Sequence, residues 1–575
     1  MNVRFLLLVG GNIPLALREE DILDAGLRRT FSHSSVSLWS TPETPTVEIS
    51  GHGIVVGLLF DASGRPVTDP GSLRNTADGL NRHLLRDYWG EYVAVSIGSG
   101  DRGPMTLLRD PSGGVPCMYA VSNGQGFVTS DISLAVDLGL YRRQVDWHSI
   151  VHGLRFPYRR TERTGLLDVH ELLPGCALEI GSSRTSVHTE WSPWSFVQDD
   201  ARHPDPESAG DHIRDAVSIV VNAYAAADDR FVVQLSGGLD SSIVASCLRG
   251  TSAQLLFGSL VMPVAGTDER PYARLVTESM DRDLLSVPVG FEDVRIDFPV
   301  PPSSAVPATG MLQHATSTAW DSVGAANNTG TFYTGGGGDS IFCYLQTAAP
   351  AVDAYLERGM VTTAIAVRDL STLHGCTVWK AGRLTRKKLG MVRRGVRRGW
   401  KEDRTLLSTQ ALEGPELAHP WLDPPPRSLP GDCEKIHDLI GTQLYMHATA
   451  SPRRRVRRPL LSQPVMEACL KVPTWMWIAG GRDRAVARDA FKGTVPSAIL
   501  ARRSKGSYAG YLATAYARNK AEIREFLMGG ELRAAGLLDP HAMSEFLASE
   551  FAPRSMAFVR AFDLCTAENW VRNQA

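Results

Sequence analysis

The sequence has no marked excess of charge of either sign, and it has no long apolar run. The 60 Lys and Arg residues nearly balance the 62 Asp and Glu residues, so the formal net charge is −2. This balance gives no reason to expect nucleic acid as a main ligand. The apolar segment Phe5–Val9 is too short for a signal peptide or a membrane span and predicts a buried strand. We expect a cytoplasmic protein without a membrane segment.

Paired cysteines are also missing. The eight cysteines include no Cys-x-x-Cys pair, which excludes the usual zinc spacing and argues against a disulfide framework. We expect most of them to be buried small apolar residues in a reducing compartment. Cys343 follows a glycine-rich loop, but no histidine partner is evident. We therefore interpret it as a packing residue or a pocket wall rather than a nucleophile.

The chain, at 575 residues, is too long for one hydrophobic core and predicts two or more domains. Residues 1–198 contain short apolar runs separated by Gly, Pro, Asp and Ser, which predict a sheet-dominated domain. Residues 198–206 are polar and contain two prolines, as is typical of a linker. The following part, residues 205–575, has a different pattern.

This second part begins with alternating helix and strand signals. Residues 209–227 are compatible with a long helix, a strand is predicted at 230–235, and a helix at 241–248 precedes a strand at Gln254–Val261. A strand–helix–strand unit of this spacing predicts a parallel α/β sheet. Residues 436–571 are mostly helical in pattern.

The first motif that carries chemistry is Ser-Gly-Gly-Leu-Asp-Ser-Ser at residues 236–242, directly after a valine-rich strand. Its glycines allow close backbone approach, its serines add hydroxyl groups, and the start of the next helix favours an anion. An acid in such a cradle needs a cation, so we interpret Asp240 as a magnesium ligand that bridges to phosphate. No Gly-Lys dipeptide occurs, which excludes the other common phosphate loop. The alternative is an ordinary glycine-rich turn.

The second motif, Gly-Gly-Gly-Gly-Asp-Ser at residues 335–340, also follows a short strand. Asp240 and Asp339 would together hold magnesium on the phosphate chain of ATP. The alternative is a flexible glycine loop with a helix-capping aspartate.

The third motif, Arg-Arg-Ser-Lys-Gly at residues 502–506, places Lys505 where it could reach a cleft. A positioned ammonium group stabilises the negative charge that develops when an amine attacks an acyl-adenylate. The alternative is a solvated basic turn.

With these three motifs, residues 205–575 resemble the synthetase domain of the asparagine synthetase family, which includes β-lactam synthetase. The resemblance implies an adenine nucleotide α-hydrolase-like parallel α/β domain with a helical C-terminal part, and ATP and Mg²⁺ as cofactors. Asp240 and Asp339 match the magnesium-binding aspartates of that family, and Lys505 matches its catalytic lysine. The implied ATP-binding residues are Leu235, Ser236, Gly237, Gly238, Asp240, Ser241, Ser242, Ser259, Val261 and Gly335. Enzymes of this family adenylate a carboxylate, release pyrophosphate and let an amine displace AMP.

The N-terminal region resembles the glutaminase-type domain of the same family, on residues 90–94, 109–116 and 127–131. The implied fold is a β-sheet sandwich of the N-terminal nucleophile type. A working glutaminase of this type begins with a catalytic cysteine, whereas this sequence has Asn2 there and its first cysteine is Cys117. We therefore expect a degenerate glutaminase-like domain over 1–198 and a second substrate that brings its own amine.

Two departures separate the chain from the better-known relatives. Gly336 stands where asparagine synthetases have an acid and β-lactam synthetase has a tyrosine, and the arginine-rich residues 453–458 contain no acid. The chain is more similar to the lasso peptide cyclases, on residues 335–346, 459–464, 479–484 and 504–506. That resemblance implies a macrolactam synthetase. It would adenylate a Glu or Asp side chain of a precursor core peptide, and the N-terminal amine of the peptide would displace AMP.

The implied partners are the core peptide after leader removal and a leader peptidase or recognition protein. Two alternatives stay open. One is a small-molecule amide or β-lactam synthetase, or an asparagine synthetase-like amidotransferase, without glutaminase activity; the other is a silent scaffold that binds nucleotide or peptide. Two basic segments have no assigned role. Residues 380–401 are interpreted as a solvated helical face or a docking surface for an acidic partner, and residues 453–458 as a contact for phosphate or peptide.

Overall fold

The computed structural model describes most of the chain, with short gaps between the described ranges. The described residues are 3–10, 17–33, 36–49, 52–69, 73, 79–98, 104–395, 399–414, 416–444, 446, 454–503, 506, 508–551 and 555–574. Among them, no helix combines the length and the apolar character that crossing a bilayer requires.

The N-terminal part is built from antiparallel strands with a few short helices. Its strands are β1 (Phe5–Val9), β2 (Arg28–His33), β3 (Val36–Ser40), β4 (Thr46–Ile49), β5 (Gly53–Asp61), β6 (Tyr88–Ile97), β7 (Met105–Arg109), β8 (Met118–Ser122), β9 (Gln125–Thr129), β10 (His170–Glu171), β11 (Cys176–Ile180) and β12 (Thr185–Thr189). Its helices are α1 (Glu19–Asp24), α2 (Leu80–Asp87), α3 (Ile132–Asp137) and α4 (Trp147–Arg155).

These strands form two stacked sheets. Within the described residues, one six-stranded sheet has the order β10-β8-β9-β1-β3-β2, and the other has the order β12-β11-β7-β6-β5-β4. Strand alternation explains the layers: in β1, Phe5 and Leu7 enter the core between the two sheets, whereas Leu6 and Leu8 face a second core. The predicted sandwich, which we call the N-terminal sandwich, is confirmed.

The C-terminal part contains a parallel sheet of five described strands in the order β15-β14-β13-β16-β17. These strands are β13 (Arg230–Gln234), β14 (Gln254–Val261), β15 (Leu284–Pro288), β16 (Thr331–Thr334) and β17 (Arg455–Arg457). The helices are α5 (Pro206–Ala227), α6 (Leu239–Cys247), α7 (Arg270–Glu278), α8 (Met311–Ala326), α9 (Gly338–Ile341), α10 (Ala349–Arg358), α11 (Met360–Leu373), α12 (Val378–Arg393), α13 (Pro430–Gln443), α14 (Gln463–Leu470), α15 (Ala485–Ala490), α16 (Ser497–Ala501), α17 (Ala509–Met528), α18 (Glu531–Ala534), α19 (Pro540–Ala548) and α20 (Val559–Arg572). The predicted parallel α/β fold with a helical C-terminal part is confirmed.

Helices cover both faces of the parallel sheet. In β13, Phe231 and Val233 pack in the same core as α5, whereas Val232 packs with Trp320 of α8 on the other face. A sheet that is covered on both sides needs nearly continuous apolar strands, which explains the sequence Phe-Val-Val at residues 231–233.

The polar segment 198–206 is anchored rather than a free linker. It contains a short 3-10 helix, Asp199–Ala201, and the buried Arg202 side chain forms ion pairs with Glu357 and Asp432. Helix α5 begins at Pro206, three residues before the predicted start, because the Asp205 side chain accepts hydrogen bonds from the backbone of Glu207 and Ser208.

The two parts of the chain are joined by a buried ionic network centred on Arg457. The Arg457 side chain is 1% exposed and pairs with Asp228 at 3.0 Å and with Glu91 of β6. The Tyr333 hydroxyl of β16 donates to the same Asp228 carboxylate over 2.8 Å, and the ring of Tyr224 lies 4.9 Å from the Arg457 guanidinium. The network therefore joins α5, β16 and β17 to the N-terminal sandwich.

The network depends on the charge of Asp228. Burial alone would raise the pKa of this carboxyl, but the Arg457 guanidinium holds its pKa below the usual range. A lowered folded-state pKa means that the ion pair stabilises the protein above the ordinary pKa of an aspartate. That contribution is lost as the pH falls through the lowered value.

We predict that Arg457→Met lowers the free energy of unfolding by about 3–5 kcal/mol, because it removes the closest cation from Glu91 and from the buried Asp228, which then keeps Arg455 at 3.5 Å. Urea unfolding followed by tryptophan fluorescence measures the change. The matched control is Arg404→Met, whose side chain is 67% exposed and pairs with Glu402 at the surface, and its cost should stay within about 1 kcal/mol. Equal losses in the two variants would contradict a special role for the buried network.

Candidate functional site

Two loops meet at the carboxyl ends of the neighbouring strands β13 and β16. A methyl group at Gly335 would lie 2.4 Å from the Ser241 backbone nitrogen, and one at Gly338 would lie 2.4 Å from the Asp240 carboxyl carbon. These distances are too short for any side chain, so the glycines of the second loop are required for contact with the first. The motifs at residues 236–242 and 335–340 therefore pack against each other and form one structural unit.

The first loop is held by its own serines. The Ser236 and Ser241 hydroxyls lie 3.1 Å apart, and the Gly238 backbone N–H donates to the Ser236 hydroxyl over 3.3 Å. Helix α6 begins directly after Gly238, so its free backbone N–H groups and its dipole favour an anion at this end. The loop is thus preorganised before any ligand binds.

The loops border a cavity of about 450 Å³, which we call the strand-end cavity. Its size is in the usual range for a small-molecule site. Of the predicted site residues, those that line it are Leu235, Ser236, Gly238, Asp240, Ser241, Ser259, Gly335 and Asp339.

Three residues predicted to bind the nucleotide lie outside this lining. Gly237 has φ +66°, and its carbonyl accepts a hydrogen bond from Arg502 over 3.1 Å. Ser242 is completely buried, and its hydroxyl has no partner among the described residues. Val261 is at the end of β14, where Ser259 and Leu260 supply the lining instead. Lys505, the predicted catalytic residue, lies outside the described residues.

A guanidinium group bridges the two predicted magnesium ligands. Arg484 donates to Asp339 over 2.8 Å and to both carboxylate oxygens of Asp240 over 3.3 Å. Burial would lower the pKa of Arg484, but Asp240 and two further aspartates raise it above its ordinary value, so the group stays charged. Residues 479–484 carry part of the family resemblance, but the sequence predicts no role for Arg484.

Arg484 is held in place by a strained backbone and an aromatic ring. It adopts φ +50°, ψ +35°, a left-handed conformation that costs free energy for a residue with a side chain. Its guanidinium lies 5.0 Å from the ring of Tyr344, and Asp483 pairs with it at 3.1 Å. The position of this cation is therefore fixed by several independent contacts.

The donor set fits magnesium that arrives together with phosphate. Carboxylate oxygens are suitable ligands for this hard cation, which usually takes one or two carboxylates plus phosphate oxygens and water. Asp240 and Asp339 provide two such carboxylates, and the described residues contain no cluster of three or more potential ligands. The arginines that line the same cavity, which are Arg484, Arg488, Arg502 and Arg503, match the negative charge of a phosphate chain.

The segment before the predicted lysine is fixed to the cavity wall. Arg502 donates to Glu269 over 2.6 Å and lies 3.9 Å from the ring of Tyr272. The backbone N–H of Gly506 donates to the same Glu269 carboxylate over 2.7 Å. Glu269 therefore accepts hydrogen bonds from both Arg502 and Gly506, and no sequence signal singled it out.

The described arginines of the segment 453–458 pair with residues of the protein itself. Arg453 is outside the described residues, and none of Arg454 to Arg458 lines the strand-end cavity. Alternation along β17 sends Arg455 and Arg457 towards Asp228 and Arg454 towards Ser317 of α8. None of them supports a phosphate contact in that cavity, and the expected contact with a peptide stays a prediction.

Two further features of the sequence are Cys343 and the basic segment 380–401. Cys343 is buried in the core behind the cavity, and burial raises the pKa of its thiol to about 12, as expected for a packing residue. The basic segment 380–401 belongs to helix α12 as far as Arg393, where Lys388 pairs with Glu434, and its role as a docking surface stays a prediction.

Comparisons with known proteins agree with the geometry. The model of the family described as asparagine synthase matches residues 212–572. Among solved structures, a chain described as the allosteric regulatory enzyme of purine biosynthesis is similar at 9% identity and a TM-score of 0.19, over 53% of this chain and 78% of that chain. That similarity is too low to bear on function. A comparison with curated proteins gives no match.

We predict that Arg484→Met strengthens the binding of Mn²⁺, used in place of Mg²⁺, to the nucleotide-free protein by roughly tenfold. The reason is that the arginine and a divalent cation compete for the same two carboxylates. Titration of free Mn²⁺ by electron paramagnetic resonance measures the affinity. The matched control is Arg482→Met, because Arg482 pairs with Asp489 away from the cavity. An unchanged affinity in Arg484→Met would show that the arginine does not compete with the metal.

Proposed function

The chain belongs to the asparagine synthase family, and on this premise we propose that it joins a carboxylate to an amine with the cleavage of ATP to AMP and pyrophosphate. The observation that carries the proposal is the strand-end cavity. It combines an anion-binding helix start, two aspartates on adjacent strand ends and four arginines in one place.

Each part of the cavity has a task in such a reaction. The loop at residues 236–241 would hold the phosphate chain through its backbone N–H groups. Asp240 and Asp339 would hold magnesium, which neutralises charge on the phosphates when bound. The arginines would stabilise the pyrophosphate that leaves, and a positioned Lys505 would stabilise the negative charge that develops on the carbonyl oxygen.

The proposed chemistry has two steps. A carboxylate oxygen of the substrate attacks the α-phosphorus of ATP, and the bond to pyrophosphate breaks. The neutral amine then attacks the carbonyl carbon, the bond to AMP breaks, and the proton of the amine passes to solvent. An α-amino group has an ordinary pKa near 8, so a fraction of it is neutral at working pH without a strong base.

Ammonia from glutamine is not the proposed nitrogen source. The cysteines of the N-terminal sandwich, Cys117 and Cys176, are buried, and burial raises the pKa of the thiols to about 12 and about 11. Neither described thiol is a nucleophile at neutral pH. The amine would therefore come from the acceptor substrate itself.

We propose a peptide as that substrate and macrolactam formation of the lasso peptide type as the reaction. Gly336 lines the cavity, and a methyl group there would meet only ordinary contacts, at 3.4 Å or more. The backbone thus does not require glycine at this position. What the glycine provides is room beside the nucleotide position, and a bulky acyl substrate needs that room. The carboxylate would be a Glu or Asp side chain of the core peptide, and the amine would be its N-terminus.

Ring closure within one molecule also suits an enclosed site. An acyl-adenylate hydrolyses readily, so water must be kept away while the amine reaches the carbonyl carbon. Holding both groups of one peptide in contact supplies a large effective concentration. A small-molecule amide or β-lactam synthetase stays the alternative substrate class.

We predict that incubation with ATP, Mg²⁺ and a linear core peptide yields AMP, pyrophosphate and a product lighter than the peptide by one water. Mass spectrometry and nucleotide chromatography measure both products. Asp240→Asn and Asp339→Asn should abolish them, because the phosphates lose their metal. Release of ADP in place of AMP would contradict the mechanism, and turnover of free amino acids but not peptides would favour the small-molecule alternative.

We predict that Lys505→Ala slows ring formation by about a hundredfold, which is the usual cost of losing one group that stabilises an oxyanion. The rate of cyclic product formation at saturating ATP measures the effect. Lys492→Ala is the matched control, because Lys492 is 67% exposed and pairs with Asp489 at the surface. A rate equal to that of the control would remove Lys505 from the mechanism.

A further inference from the structure

A second cavity, of about 320 Å³, lies at the junction of the N-terminal sandwich and the C-terminal part. We call it the junction cleft. One wall comes from α4 and residues 156–171 of the sandwich, and the other comes from residues 306–313, α17 and α20. Neither part of the chain would form this site alone.

The lining of the junction cleft combines apolar walls with a few polar groups. Its walls include Phe156, Leu512 and Phe562. His152 also lines it and is 3% exposed, and its Nε2 atom has no partner among the described residues. Apolar walls with a small number of placed polar groups are typical of sites that bind an organic ligand.

One residue at the cleft is held in a strained conformation. Tyr158 has φ +65°, a region that is unfavourable for an aromatic residue, and its side chain is 40% exposed. Strain of this kind persists only where surrounding contacts impose it, and it is concentrated at binding sites. The left-handed backbone of Tyr158 is therefore a second observation, besides the cavity itself, that indicates a binding site.

The positive charges in the described lining of the cleft are all paired with acids. Three arginines line it, and each is neutralised by an acid: Arg159 by Glu416, Arg160 by Glu171 and Arg163 by Asp146. A site for phosphate or nucleic acid would offer cations to the ligand. With apolar walls, paired arginines and the carboxyl of Asp563 in its lining, the cleft suits a ligand with apolar side chains and hydrogen-bonding groups, which is the chemistry of a peptide segment.

The cleft adjoins the strand-end cavity along two segments of chain. Tyr508 lines the strand-end cavity and Leu512 lines the cleft, and a backbone hydrogen bond of 2.8 Å joins these two residues across one helical turn. Thr442 lines the first cavity and Leu444 lines the second. One turn of helix is about 5.4 Å, so parts of the two linings lie within a length that a short extended peptide spans.

We propose that the junction cleft is a binding site for the part of the peptide substrate that does not react. The carboxylate would lie in the strand-end cavity while neighbouring peptide residues place an apolar side chain between Phe156, Leu512 and Phe562. His152 would form a hydrogen bond with the peptide backbone. This inference rests on the proposed function for the identity of the substrate, whereas the binding site is inferred from the lining of the cleft.

Photo-crosslinking of the wild-type chain tests where a peptide binds. The probe is a pool of synthetic linear peptides, each with a free N-terminus, one internal Glu and one benzoylphenylalanine. Mass spectrometry of the digested adduct is expected to find crosslinks in residues 149–165, 306–313 or 559–567. Crosslinks confined to other parts of the chain would overturn the inference. This readout needs no turnover, so it is independent of the reaction.

The second test is the steady-state kinetics of a variant in which a larger side chain fills the junction cleft. Leu512→Trp is expected to raise the KM for the peptide at least about tenfold, while the KM for ATP stays within about twofold. The matched control is Leu356→Trp, because Leu356 is exposed on α10, away from both cavities. Equal peptide KM values in the two variants would overturn the inference. If wild-type chain forms no AMP with any peptide, the proposed function fails instead, and the crosslinks still decide whether the cleft binds peptide.

Discussion

The buried ion pair between Arg457 and Asp228 is the interaction on which the rest of the structure depends. A guanidinium that is 1% exposed must keep its counter-charges, because an unpaired buried charge costs several kcal/mol. The strands β16 and β17, helix α5 and the sandwich strand β6 each contribute a residue to this network or to its walls. Since β16 continues into the glycine loop at 335–338, the position of that loop is tied to the ion pair, and so is its contact with Asp240.

The candidate site shows the same arrangement, in which one arginine lies between two carboxylates. Two carboxylates that would share a metal ion repel each other when they are alone, and Arg484 removes that repulsion by bridging them. The arginine is itself held by Asp483 and by the ring of Tyr344. The carboxylates are thus kept close to the arrangement that a metal–phosphate complex needs, so less reorganisation is required when that complex binds.

The sequence was informative where the signal is local. Both loops carry their chemistry within a few residues after a strand, so Asp240, Asp339 and the fold class could be predicted. Arg484 could not, because its partner Asp240 is 244 residues away and a single arginine beside an aspartate has no distinctive pattern. The pairing of Arg455 and Arg457 with Asp228 could not be predicted either, because a strand of three residues is too short to show a pattern of alternation.

The N-terminal sandwich has a physical role that does not depend on glutaminase chemistry. Its described cysteines are buried packing residues, so its contribution must come from its surface. Glu91 of that surface supplies one of the two counter-charges of Arg457, and α4 with the following loop supplies one wall of the junction cleft. Without the sandwich, Arg457 would keep Asp228 but lose Glu91 as a counter-charge. The junction cleft would lose one wall and open to water. The described lining of the strand-end cavity comes from residues 234–508, so the sandwich supports that site through the Arg457 network rather than as one of its walls.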